Sequence, residues 1–145
     1  MASDDIRRRL LWHGVLLVLL ALLTGLLVPV VTSPRLALSA HVGGIMNGML
    51  LILAGLLWQE LRLAPRQQAT ACRLLLFGMY AIWAFILLAA AFGASYANPI
   101  AGAGHSAPAW QEALTTIGIV SGALAVLGAI GLILYGLRAG GAAQR

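Results

Sequence analysis

The sequence predicts an all-α membrane protein, a single four-transmembrane-helix bundle over residues 1–145 with both termini cytoplasmic, and three observations carry that expectation. Of the 145 residues, 61% are hydrophobic and 9% charged, against about 25% charged in ordinary soluble domains. The apolar residues gather into four runs at about residues 10–31, 38–61, 71–92 and 112–136, each close to the ~20 residues that cross about 30 Å of hydrocarbon. The positive charge is one-sided along that path. There is no lysine; Arg7, Arg8, Arg9, Arg62, Arg66, Arg73, Arg138 and Arg145 fall on one side and Arg35 alone on the other, which puts the arginine-rich side in the cytoplasm.

The net charge of +5 therefore belongs to segment ends and not to a soluble basic face. The expected partner is a lipid bilayer, and nucleic acid is not expected. The single Cys72 cannot form an internal disulfide and reads as a small apolar residue at a helix start.

In chain order, Arg7 to Arg9 close a short polar lead, and the first run follows from Leu10. That run is too long for the apolar core of a signal peptide, and Pro29 to Pro34 shows no small-residue cleavage pattern. Thr32-Ser33-Pro34-Arg35 breaks the helix, with Ser33 or Ser39 available to cap the second run. Trp58 lies near the end of that run, at the depth of an aromatic belt, before the polar turn Arg62, Pro65, Arg66, Gln67 and Gln68. After the third run, Gly93 to Ala109 is uncharged and irregular, and Trp110-Gln111-Glu112 opens the fourth. Small residues at helical spacing, Gly44 with Gly48 and Gly118 with Gly122, Ala125 and Ala129, allow close helix contact within the chain or between copies. With so little polar surface, a homo-oligomer is expected.

The polar residues inside these runs are the candidates for function. His41 and Asn47 sit in the second run, where loss of water costs each several kcal/mol unless a partner replaces it. An ionisable group within a span is a functional candidate by default, the bland alternative being a hydrogen bond to a neighbouring helix. Gly43 and Gly44 leave bare backbone after the imidazole, a recess in which a flat macrocycle could lie, and haem iron readily takes an axial imidazole. Six residues of α-helix turn about 600°, so Asn47 points roughly 120° away from His41 and about 9 Å further along, whereas Gly48 shares the face of His41. One small ligand cannot touch both from one helix; a large cofactor between helices, or a site where one copy gives His41 and another gives Asn47, could. Asn47 reads equally well as interhelical glue. His13, between Trp12 and Gly14, either orients in the interface or hydrogen-bonds a cofactor propionate. His105 in the outer loop is expected to be solvated, and Glu112 to be a first-turn acid favoured by the helix dipole. Tyr80, Trp83, Phe85 and Phe92 either wall a pocket or pack.

Several classes are argued against. A proton-coupled transporter needs a membrane-embedded carboxylate, and residues 10–92 hold only Glu60, at a segment end. Two-haem electron transfer needs four axial ligands, more than three histidines supply. No Ser/His/Asp set stands at membrane depth. A single open-faced metal centre and a cofactor-free structural or carrier bundle remain.

Trp12-His13-Gly14, Pro34-Arg35, Ser39-Ala40-His41 and Met46-Asn47-Gly48-Met49 resemble the small four-span family that includes hydroxylaminobenzene mutase and styrene oxide isomerase, over about Leu10 to Arg138. The Pro-Arg turn and Gln111-Glu112 look closer to the mutase branch, and Gly43 to the isomerase branch. The resemblance implies a homotrimer in the bacterial inner membrane with haem b at subunit contacts. It implies His41 as the axial iron ligand and Asn47 as the residue that holds a small aromatic substrate; His13 as a propionate partner and the bare backbone at Gly44 and Gly48 are then the residues expected against the cofactor. Ile82 and Ile86 stand where the family tends to carry Asn and Tyr. The implied reaction is redox-neutral, with ferric haem as a Lewis acid: arylhydroxylamine to aminophenol, or aryl epoxide to aldehyde.

Overall fold

The structure, a computed structural model, describes residues 3–138 and is all-helical among them. Four long helices follow one another: α1 (Ser3–Leu27), α2 (Pro34–Leu57), α3 (Pro65–Phe92) and α4 (Ala109–Arg138), with short 3₁₀ turns at Val28–Val30 and Trp58–Glu60. With those turns included, each is 27 to 30 residues long and apolar enough to cross a membrane, with mean hydropathy between 1.7 and 2.5. The expectation of four long apolar helices holds, while each helix starts earlier than its apolar run.

The early starts have local causes. Asp4 and Asp5 occupy the first turn of α1, where the helix dipole favours acids. Pro34 and Pro65 are the first residues of α2 and α3, positions that suit a fixed φ and need no N–H donor. So the Thr32 to Arg35 stretch launches a helix instead of spacing two. Ser33 holds the cap position of α2 but its hydroxyl makes no cap bond and is buried without a partner. Gln67 Oε1 accepts the Ala64 N–H at 2.9 Å, so the glutamines read as a turn belong to the first turn of α3. At the other end, Gly93 adopts the left-handed conformation at φ 72° that closes α3.

The helices run antiparallel in sequence. α1 packs along α2, α3 along α4, and α2 and α1 both against α3, so α4 leans chiefly on α3. Both main pairs close on glycine. The Cβ of an alanine at Gly48 would lie 2.7 Å from the Gly14 carbonyl oxygen, and one at Gly78 would lie 2.7 Å from that of Gly122. Backbones in such contact gain dispersion where lipid gives no hydrophobic drive. Gly118, Gly122, Ala125 and Ala129 are likewise buried against α3, so the small-residue row on α4 serves contact within the chain. Ile6, Leu10, Trp58, Leu61 and Leu63 form a tight core at the end that carries the chain's first residues and the α2–α3 turn.

One end of the bundle gathers Arg7, Arg8, Arg9, Arg62, Arg66, Arg73 and Arg138, and Arg35 stands at the other. Arg145, expected with the first group, lies outside the described residues.

Candidate functional site

α2 carries His41 on the flank turned to α1, about two turns from its start. Its Nδ1 lies 2.7 Å from the Ala21 carbonyl oxygen of α1. A carbonyl only accepts, so the proton sits on Nδ1 and the lone pair of the neutral ring on Nε2. The imidazole is half-buried, and Nε2 meets no hydrogen-bonding group among the described residues. The need for a partner inferred from sequence is thus met at one nitrogen by backbone and left standing at the other. No group of three or more His, Cys, Asp or Glu suited to a metal ion occurs among the described residues. His41 offers a single protein donor, which suits a metal whose remaining ligands come with its own macrocycle.

The glycines around it divide. A Cβ at Gly44 would meet Trp83 Cδ1 at 2.5 Å and Ala21 Cβ at 2.7 Å, and one at Gly48 would meet Val18 Cγ2 at 2.6 Å. Both glycines are buried and occupied by helix contact in the chain. Gly43, by contrast, is half-exposed and a Cβ there would meet nothing within 4 Å. It lies about 200° round the helix from His41. Its bare backbone opens on the flank of Asn47, so the recess expected beside the imidazole stands on the other side of α2.

Asn47 Nδ2 donates to the Met79 carbonyl of α3 at 3.1 Å, the interhelical bond that sequence allowed, and Oδ1 keeps its acceptor capacity. An open groove of about 330 Å³ lined by Met46, Asn47, Met49, Leu50 and Leu53 runs beside it. His41 and Asn47 therefore occupy opposite flanks of α2, one tied to α1 and the other to α3. His13 joins neither directly. Its Nδ1 stands 3.2 Å from Tyr80 Oη, and that hydroxyl donates to the His13 carbonyl, also at 3.2 Å. His13 lies eight residues from Ala21, about 12 Å along α1 from the His41 level. What it shares is α3: Tyr80, which holds it, follows Met79, which holds Asn47.

Trp83, Phe85 and Phe92 of α3 pack, whereas Phe77 is exposed. Trp83 Nε1 donates to Thr24 Oγ1 at 3.2 Å, and Thr24 Oγ1 donates to the Leu20 carbonyl at 2.9 Å. Phe85 faces Gly118, and Phe92 meets Trp110 edge-on with centroids 5.8 Å apart. Ile82 lies against Gly122 of α4.

Two features escaped the sequence. Glu112 does more than meet a helix dipole, because its carboxylate accepts the N–H groups of Ser95, Tyr96 and Ala107 at 3.0, 2.9 and 3.2 Å and ties down both ends of the loop after α3. A lone Glu after 38 positions without Asp, Glu, Lys or Arg was the signal available. His105, expected in solvent, is half-buried beside Gly93 with its Nδ1 buried and unpartnered.

The family model described as styrene oxide isomerase matches residues 6–138. The chain is 42% identical over 132 residues to hydroxylaminobenzene mutase HabB of Ectopseudomonas oleovorans, covering 90% of this chain and 80% of that one. It is 41% identical over 125 residues to hydroxylaminobenzene mutase HabA of the same organism, covering 86% of this chain and 93% of the relative. No solved structure matches. A match over nearly all the described residues, with His41, Asn47 and the four apolar helices inside it, makes the chain a member of the styrene oxide isomerase family and an isomerase.

Proposed function

We propose that this isomerase rearranges a small arylhydroxylamine to an aminophenol in the bacterial cytoplasmic membrane, with haem b held by His41. The observation that carries the reading is the imidazole pinned through Nδ1 with Nε2 outward and without a protein partner. The choice of substrate rests on the two relatives, both named hydroxylaminobenzene mutases and both more than 40% identical.

The residues present fit the group. His41 supplies one nitrogen donor, oriented by backbone, and the exposed Leu38 and Val42 leave the adjoining surface of α2 free of charge. When bound, ferric haem supplies a Lewis-acidic iron that draws electron density from a substrate oxygen or nitrogen. The remaining work falls to the chain. Asn47, with Nδ2 engaged by Met79, presents Oδ1 as an acceptor for a substrate N–H or O–H. The groove of Met46, Met49, Leu50 and Leu53 takes an aryl ring and keeps water away from the positive charge that develops on it. In the rearrangement the N–O bond breaks, a C–O bond forms on the ring, a ring proton leaves and the nitrogen gains one. No net oxidation occurs.

Because His41 and Asn47 diverge by roughly 120° on α2, we place the complete site at a contact between copies, one giving His41 and its neighbour Asn47, in a homotrimer. The arginine-rich end, and with it both termini, would face the cytoplasm.

Membranes carrying the protein, incubated with phenylhydroxylamine, should yield 2-aminophenol. A second reading, aryl epoxide to aldehyde, is favoured by the family description and is tested in the same experiment with styrene oxide. Phenylacetaldehyde alone would move the assignment to that reading; turnover of neither substrate would contradict both.

A further inference from the structure

We infer that Gly25 and the Ala21 carbonyl of α1 form a seat that fixes the tautomer and the ring plane of His41, which makes Gly25 a positioning residue for the outward Nε2. Ala21 and Gly25 are one helical turn apart on α1, so they stand one above the other on one face. Ala21 O accepts the Nδ1–H, with nitrogen and oxygen 2.7 Å apart. Gly25 gives the ring its room: a Cβ there would lie 2.9 Å from His41 Nδ1, 3.0 Å from Cε1 and 3.5 Å from Cγ. The ring therefore lies against bare backbone. It cannot swing aside as the end of a flexible chain would, because the same nitrogen a Cβ would crowd is the one bonded to the carbonyl.

The segment beneath is itself held. Thr24, next to Gly25, bonds back to Leu20 and receives Trp83 from α3, so α1 does not readily yield to a larger residue at position 25. An imidazole whose Nδ1–H is given to a fixed carbonyl has one orientation and one tautomer, the arrangement by which proteins aim a metal-binding histidine. What Nε2 holds rests on the function proposed above; the seat does not.

The test uses Gly25→Ala, with Gly131→Ala on α4 as control because a Cβ there would meet nothing within 4 Å. Nitrogen NMR of isotope-labelled histidine in the detergent-solubilised, cofactor-free protein reads the tautomer, His41 being assigned by its loss in His41→Ala. Titration with ferric haem reads affinity. The wild type and Gly131→Ala should show His41 protonated on Nδ1. Gly25→Ala should lose that signature and bind haem about 10- to 100-fold more weakly, the usual cost of losing an outer partner of a metal ligand. In a His41→Ala background, Gly25→Ala should change haem affinity no further. A wild-type ring protonated on Nε2 overturns the inference without any variant, as does a Gly25→Ala protein that matches wild type in both readouts. A wild type with the Nδ1–H tautomer and no haem binding upholds the seat and removes the proposed cofactor.

Discussion

Replacing Gly48 by alanine separates two roles that sequence alone assigns to it, helix contact and cofactor cradle. The added Cβ would lie 2.6 Å from Val18 Cγ2, 2.7 Å from the Gly14 carbonyl oxygen and 2.9 Å from the Val18 nitrogen. The valine methyl can turn away, but the two backbone atoms cannot. To restore ordinary contact at about 3.4 Å, α1 and α2 must part by roughly 0.5–1 Å along a seam that also carries the Gly14 contact. Overpacking of this kind costs about 1–3 kcal/mol. Thermal unfolding of the cofactor-free protein in detergent, followed by helicity, should show a clear fall in midpoint for Gly48→Ala. Gly131→Ala should be neutral or slightly stabilising, since alanine is the better helix former by about 1 kcal/mol. An unchanged midpoint for Gly48→Ala would refute the packing argument and return Gly48 to a cradle.

Three further outcomes follow from the hydrogen bonds. Glu112→Ala should speed amide hydrogen exchange at Ser95, Tyr96 and Ala107 while the centre of α3 stays protected, because one carboxylate accepts all three N–H groups. Tyr80→Phe removes the hydroxyl that spans the His13 ring and carbonyl, and should lower unfolding stability by about 0.5–1.5 kcal/mol with little change at His41. Asn47→Leu gives up one bond to α3, about 1 kcal/mol of stability in a membrane host, and on the proposed role should lose far more in turnover of phenylhydroxylamine than in stability. Equal losses in the two assays would leave Asn47 as interhelical glue.

The four helices were legible because bilayer thickness leaves few choices once four apolar runs are present. Helix starts were misjudged where polar residues belong to a first turn, as with Asp4 and Asp5 or Gln67, since hydropathy does not record caps. His41 and Asn47 stood out as polar groups in oil, and their divergence on one helix followed from 3.6 residues per turn. Which nitrogen of His41 is engaged was not legible, because the acceptor is a carbonyl on another helix, as is the glycine that makes room for the ring. The recess was misplaced for a simpler reason. Adjacent glycines in sequence face about 100° apart on a helix, so Gly44 turned inward to Ala21 of α1 and Trp83 of α3 while Gly43 stayed open on the Asn47 flank. Glu112 needed the loop's path, which no local pattern carries.

The most direct test of the account is the visible absorption spectrum of the detergent-purified protein loaded with ferric haem. The account predicts a Soret band with one axial histidine, lost in His41→Ala and retained in His13→Ala and His105→Ala. A Soret band that survives in His41→Ala, or a colourless wild type that still rearranges its substrate, would contradict it.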